Sequence, residues 1–202
     1  MPAPLVSVVF PCRFSGIAII PTRTVGRCVR EARAALRSAR VRGEVVVADN
    51  GSTDASRSLS RRAGARVVRV RRRGYGAALQ GGIAAARGVW VLMADADRSY
   101  DLGSLPRFVA ALRDGADLAQ GTRLGGTILP GAMPWTHRRL GTPFFNLLLW
   151  VCFGARVTDS QCGMRMFTKA AYRSLNMRST GMEFASEMLA KAVRARLRVT
   201  EV

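Results

Sequence analysis

"VWVLMADADRSYD", Val89–Asp101, is the stretch on which the fold reading turns. From Val89 to Ala94 the chain is apolar and barely alternates, as in a strand buried on both faces. The run then breaks into Asp95, Ala96 and Asp97, with Asp101 close behind. In an open parallel sheet, ligands bind outside the carboxyl ends of the strands. Acidic residues at such an end are therefore candidates for ligand contact. Two carboxylates at i and i+2 on an extended segment face the same side. One of them would take up a proton unless a cation or hydrogen-bond donors neutralised the pair. A hard divalent ion, Mg²⁺ or Mn²⁺, held by one or two carboxylates and by ligand phosphates meets that need. Asp95 and Asp97 are thus metal or nucleotide candidates, and Asp101 reads first as the cap of a helix starting near Ser104.

Working outward, strand and helix patterns alternate through the first half. Leu5–Phe10, Glu44–Ala48, Arg66–Val70 and Val89–Ala94 read as strands, and Asp117–Gln120 begins a fifth. Thr24–Ala39 has helical apolar spacing at Val25, Val29, Ala32 and Leu36. "SLSRRAGA" continues a helix into a glycine stop, Tyr75–Gly88 is a helix ending in glycine, and another runs from about Ser104 to Arg113. Short strands between such helices imply right-handed βαβ units. The expected class is α/β, a Rossmann-like domain with a central, mostly parallel sheet flanked by helices. After Gly121 the chain turns to a Gly- and Pro-rich loop and the apolar block Phe144–Phe153, which reads as a core helix or as a helix facing a membrane or lipid. Gly181–Arg196 is a helix, and "LRVTEV" is a strand ending at the terminus. One domain over 1–202 fits this length.

Strand two ends in "ADNGSTD". Asp49 follows the last buried residue and is placed to meet the base or ribose of a nucleotide, whereas Asp54 suffices as a cap. "RRRGYGAAL" sets Arg71–Arg73 before a glycine turn and a helix start, a combination that attracts phosphate.

The charge balance is unusual. The chain carries 32 Lys+Arg against 13 Asp+Glu, a formal net charge of +19, and only Lys169 and Lys191 are lysines. The arginines are spread along the whole chain with little aromatic interleaving, which argues against a specific nucleic-acid binder and for an anionic substrate or membrane surface. Cys12, Cys28, Cys152 and Cys162 form no CxxC pair, and His137 is the lone histidine. That spacing argues against a zinc site and suits buried thiols in a reducing compartment. The N-terminus lacks the basic region and cleavage site of a signal peptide, and no apolar run reaches the roughly 20 residues of a membrane span.

Taken together, "VSVVFP", "VVADNGSTD", "RGYGAALQGGIAAARG", "VLMADADRSYD", "GTR", "DSQCGMRMF" and "GMEFASEM" resemble family-2 glycosyltransferases of the GT-A fold, in the right order over nearly the whole chain. The resemblance is to the branch of dolichyl-phosphate mannose synthase and bacterial polyprenyl-phosphate glycosyltransferases. It implies nucleotide-sugar contacts at Pro11, Asp49, Asp95, Ala96, Asp97 and Arg123. It implies metal binding by Asp95 and Asp97, and an acceptor phosphate held by Arg123 with Arg138 or Arg139. The segment matching Asp159, Gly163 and Arg165 and the late glutamate Glu187 make Asp97, Asp159 and Glu187 the catalytic candidates, with Glu183 at a frequent acidic position.

The implied activity is transfer of a sugar, with inversion, from a nucleoside-diphosphate sugar to a polyprenyl phosphate, assisted by Mg²⁺ or Mn²⁺. The expected location is cytoplasmic, peripheral at the inner face of the membrane. A saccharide hydroxyl is the alternative acceptor, and Asp159, Glu183 or Glu187 would then serve as base. One departure stands out. After Pro11 the family pattern Pro-x-x-Asn-Glu gives way to "RFSGIAIIPTR", with no acidic residue and about five extra positions, which keeps an inactive nucleotide-binding relative among the alternatives. The chain stops at "VTEV", where family relatives commonly continue with amphipathic or membrane-spanning segments.

Overall fold

The computed structural model describes residues 5–12, 22–122, 158–159 and 162–202. Arg123, Arg138, Arg139, His137, Cys152, the departure after Pro11 up to position 21 and the apolar block Phe144–Phe153 lie outside the described residues.

Strand β1 (Val6–Cys12) is followed by helix α1 (Thr22–Ser38), β2 (Gly43–Asp49), α2 (Ser56–Arg62), β3 (Arg66–Arg69), α3 (Tyr75–Ala85) and β4 (Trp90–Met93). A 3₁₀ turn (Leu102–Ser104) leads into α4 (Leu105–Arg113) and β5 (Leu118–Gln120). Then come β6 (Arg165–Thr168), α5 (Lys169–Ser174), α6 (Phe184–Arg194) and β7 (Val199–Glu201). The strands form one seven-stranded sheet in the order β3-β2-β1-β4-β6-β5-β7. β1 runs parallel to β2 and β4, β2 to β3, and β5 to β7, while β6 runs antiparallel to both β4 and β5. The expected mostly parallel α/β sheet is the observed one.

Alternation along β1 shows why its residues, Ser7 apart, are apolar. Val8 and Phe10 pack with Val25, Val29, Ala32 and Leu36 of α1 and with Phe108 and Leu112 of α4. Val9, between them, points to the opposite face, among Leu79 and Ile83 of α3 and Phe184 and Met188 of α6. A strand covered by helices on both sides has no wet face, so period-two patterning disappears.

Three expectations need correction. The segment "RMFT" is a strand, β6, where the sequence reading had only a motif. It holds four residues and opens with an arginine, so no periodic signal marks it. The helix expected from Gly181 begins at Phe184, because Gly181–Glu183 form the approach to it rather than its first turn. Finally, β4 ends at Met93 and the chain turns at Ala96–Asp97, with Arg98 at φ 72°. Asp95 and Asp97 therefore stand in a turn, and the same-side rule for an extended strand does not govern them. Among the described residues, no helix is long and apolar enough to cross a membrane.

Candidate active site

The carboxyl ends of β1, β2 and β4 meet because their parallel register places Cys12 opposite Asp49 and Val9 opposite Met93. The acidic residues collected at these ends differ in environment. Asp49 is 2% exposed, and its Oδ1 accepts the Ser52 N–H at 3.0 Å, so the carboxylate caps the turn that leaves β2. Pro11 is buried beside it. Asp54 accepts the Ser56 N–H at 3.0 Å, a turn just ahead of α2, whose N-cap position is Ala55 rather than the expected Asp54. Asp101 accepts the Gly103 N–H at 2.8 Å and so caps the 3₁₀ turn that precedes α4.

Asp95 is half-buried and its Oδ1 accepts the hydroxyl of Tyr75 at 2.9 Å. Burial, followed by the nearby Asp95 charge, pushes the Tyr75 phenol well above its ordinary pKa, so it keeps its proton and donates. Ala96 is buried, and its carbonyl accepts the Thr24 hydroxyl at 2.8 Å, which ties the turn to α1. Asp97 is exposed and its Oδ1 accepts the Ser99 N–H at 2.8 Å.

The β6 segment backs this turn. Gly163 donates its N–H to the Tyr100 hydroxyl at 2.8 Å. Arg165, fully buried, lies opposite Met93 in the register and donates to the carbonyls of Cys162 and Ala185. Burial lowers its pKa, against the pull of Cys162, Tyr75, Tyr100 and Asp159. Asp159 is fully buried, and its carbonyl accepts from Gln120 Nε2. Among the described residues, Gln120 Oε1 is buried without a donor.

Glu187 stands on α6. It accepts the N–H groups of Arg178 at 2.9 Å and Ser179 at 2.8 Å, and pairs with Lys191 at 2.6 Å. Burial opposes ionisation there, but Lys191 and the two N–H groups outweigh it and bring the pKa down to about 2. The segment it grips reaches α3: Gly76 and Ala77 donate their N–H groups to the carbonyls of Gly181 and Thr180, and Gln80 Nε2 donates to that of Ser179. The phosphate role expected of the α3 N-terminus meets an obstacle here, since carbonyls of the same chain already take its N–H groups. Arg73, expected near phosphate, donates to the Asn50 carbonyl.

Sequence reasoning passed over four polar residues that organise the site: Asn50, Tyr75, Tyr100 and Gln120. Tyr75 alone carried a signal, as a large aromatic set between two glycines at a helix start. The others looked like ordinary turn or strand-end residues.

As for a cation, Asp95 and Asp97 provide two oxygen-bearing side chains in one tight turn, one of them exposed. Among the described residues there is no group of three or more His, Cys, Asp or Glu that could hold a metal. Two carboxylates without a protein cage fit Mg²⁺ or Mn²⁺ that completes its shell with phosphate oxygens and water, and fit zinc poorly.

Carboxylates gather at the carboxyl ends of a mostly parallel sheet, the edge on which open α/β sheets bind their ligands. The chain belongs to Glycosyl transferase family 2, whose family model matches residues 17–175. It is 40% identical over 200 residues to the low-salt glycan biosynthesis hexosyltransferase Agl6 of Haloferax volcanii, covering 98% of this chain and 47% of that protein. It is 30% identical over 164 residues to a dolichyl-phosphate hexose transferase of the same organism, covering 80% of this chain and 68% of the other. The chain thus spans about half the length of Agl6. A solved structure of glucosyl-3-phosphoglycerate synthase from Mycobacterium tuberculosis in complex with Mn²⁺, uridine-diphosphate and phosphoglyceric acid has the same fold. Its TM-score is 0.74 at 22% identity, over 98% of this chain and 68% of that one.

Proposed function

We propose that residues 1–202 form one catalytic domain of an inverting glycosyltransferase that uses a nucleoside-diphosphate sugar, Mg²⁺ or Mn²⁺, and a polyprenyl phosphate acceptor. The observation that carries this reading is the turn after β4, where Asp95 is held by Tyr75 and Asp97 is open to solvent. When bound, the divalent ion supplies positive charge for the departing diphosphate. Asp95 and Asp97 would hold it. Pro11, Asp49 and Ala96 border the nucleotide end, and the family resemblance assigns Arg123 to the diphosphate. The acceptor oxygen bonds to the anomeric carbon while the bond to the diphosphate breaks on the opposite face, and the bonding pair leaves with the nucleotide.

Proton chemistry supports a phosphate acceptor. Asp159 is fully buried, and Glu187 is committed to Lys191 and two N–H groups with a pKa of about 2. Glu183 is exposed, and its own N–H and that of Gly181 keep its pKa below the usual range. Both glutamates, held ionised by their donors, are poor bases at neutral pH. A hydroxyl acceptor needs a base, whereas a phosphate arrives already ionised. On this reading Asp159 and Glu187 shape the site, and Arg123, Arg138 and Arg139 hold the acceptor phosphate. The relation to a dolichyl-phosphate hexose transferase supports the same acceptor class. The formal charge of +19 suits a peripheral position on the anionic cytoplasmic membrane face.

The test is transfer from radiolabelled UDP-, GDP- and dTDP-hexoses to polyprenyl phosphate in detergent. Label is expected to pass into the organic phase only with Mg²⁺ or Mn²⁺, and Asp97→Ala to lose at least about 100-fold in rate. Metal-independent turnover, or full activity in Asp97→Ala, would overturn the proposal. Label retained on a water-soluble saccharide would replace the acceptor.

A further inference from the structure

The geometry points to Tyr75 as a positioning residue that fixes the Asp95 carboxylate for the divalent ion and diphosphate, braced from behind by the 178–181 segment. The inference rests on the reading of Asp95 as a metal ligand.

Asp95 is confined on both oxygens. Oδ1 takes the Tyr75 hydroxyl at 2.9 Å. Oδ2 lies against Gly163, where an added Cβ would stand 3.0 Å from it and 2.8 Å from the Tyr100 hydroxyl. A side chain there would press on both, so glycine lets the segment before β6 approach this closely. The Gly163 N–H in turn donates to Tyr100, so the backbone that limits the carboxylate is itself anchored.

Tyr75 cannot drift. It is the first residue of α3, and the next two N–H groups, of Gly76 and Ala77, donate to the Gly181 and Thr180 carbonyls. Gly74 precedes it at φ 132°, and a Cβ there would stand 2.0 Å from the Thr180 oxygen. The two backbones therefore meet through a glycine in a conformation that other residues rarely adopt. Glu187 fixes the far end of the same segment through the N–H groups of Arg178 and Ser179. A chain of contacts thus runs from α6 through 178–181 to the first turn of α3 and on to Asp95.

Carboxylates that bind metals are in turn hydrogen-bonded by outer partners that set their orientation, and losing such a partner lowers metal affinity. The Tyr75 hydroxyl matches that role, and its ring packs against the α3–α6 core independently of the hydroxyl.

The experiment measures Mn²⁺ binding in the presence of UDP by loss of the free-ion EPR signal, for the wild type, Tyr75→Phe, Gly163→Ala and Asp95→Asn. Tyr75→Phe is expected to weaken Mn²⁺ binding about ten-fold while leaving the ligand-free melting temperature nearly unchanged. Gly163→Ala, which presses on the carboxylate from the other side, is expected to weaken binding as well and reads the same device should Tyr75→Phe fold poorly. Wild-type affinity in both variants, with Asp95→Asn defective, would overturn the role of Tyr75 and leave Asp95 a ligand. Wild-type affinity in Asp95→Asn would instead remove the metal reading on which the inference rests.

Discussion

Single side chains at the ends of the strands do two kinds of work, and the difference lies in their partners. Asn50 is fully buried. Its Nδ2 donates to the carbonyls of Val70 at 3.0 Å and Arg72 at 2.7 Å, and its Oδ1 accepts the Gly74 N–H at 2.9 Å. In the sequence it is the Asn of an Asn-Gly turn. In the structure it is the post to which the whole 70–74 loop is tied. Asn50→Ala would strand these backbone groups, and an unfolding cost of about 3 kcal/mol is expected, read as a lower denaturation midpoint at unchanged slope. Asp97, by contrast, is exposed and makes one local bond, so its replacement is expected to spare stability and remove turnover. The sequence distinguished Asp97 from its surroundings by position alone. It gave no sign of Asn50's three bonds, because their partners lie 20 to 24 residues away.

Among the elements, α6 shows how a motif's place in a pattern and its physical work can differ. The resemblance places Glu187 among the catalytic candidates, and its visible work is to clamp 178–179 to Lys191. The carboxyl pKa falls from 4.5 to about 2 on folding. A depressed pKa means that the stabilisation is complete above about pH 4.5 and fades as the pH drops toward 2. The difference in melting temperature between the wild type and Glu187→Gln is therefore expected to be constant near neutrality and to shrink below pH 4.5, as scanning calorimetry across that range would check. A difference that persists unchanged at pH 3 would rule out the clamp. The helices α1, α3 and α4 were legible from apolar spacing and glycine stops. The strand β6 was not: its four residues become a strand only because β4 and β5 stand on either side with carbonyls and N–H groups to satisfy.

Across the whole molecule, the charge of +19 is spread over a surface whose arginines also serve as internal props. Arg66 pairs with Glu44 at 2.9 Å at the opposite end of the sheet, and Arg165 is sealed in the core. Such a distribution attracts polyanions without selecting a sequence. Any retention on DNA is expected to be insensitive to sequence and to vanish by about 0.2 M salt, measured by filter binding across a salt series. Tight, sequence-selective binding that survives such salt would point to a nucleic-acid function instead.

The sequence by itself determined the α/β class, the run of parallel strands β1 to β4, the buried character of β2 and β4, and the placing of Asp49, Asp95 and Asp97 at the carboxyl ends of β2 and β4. Those features are local: helix periodicity, unbroken apolar strands and turn residues are written within a few positions of one another. The tertiary structure alone decided the order β3-β2-β1-β4-β6-β5-β7, the antiparallel insertion of β6, and the identity of the groups that fix Asp95. Tyr75 and Gly163 lie 20 and 68 positions from that carboxylate, and only the packing of α3 and the β6 approach against the end of β4 brings them to it. Hydrogen-bond partners at such separations leave no periodic trace, because the force that selects them is the requirement that every buried polar group find a partner once the chain has closed around it.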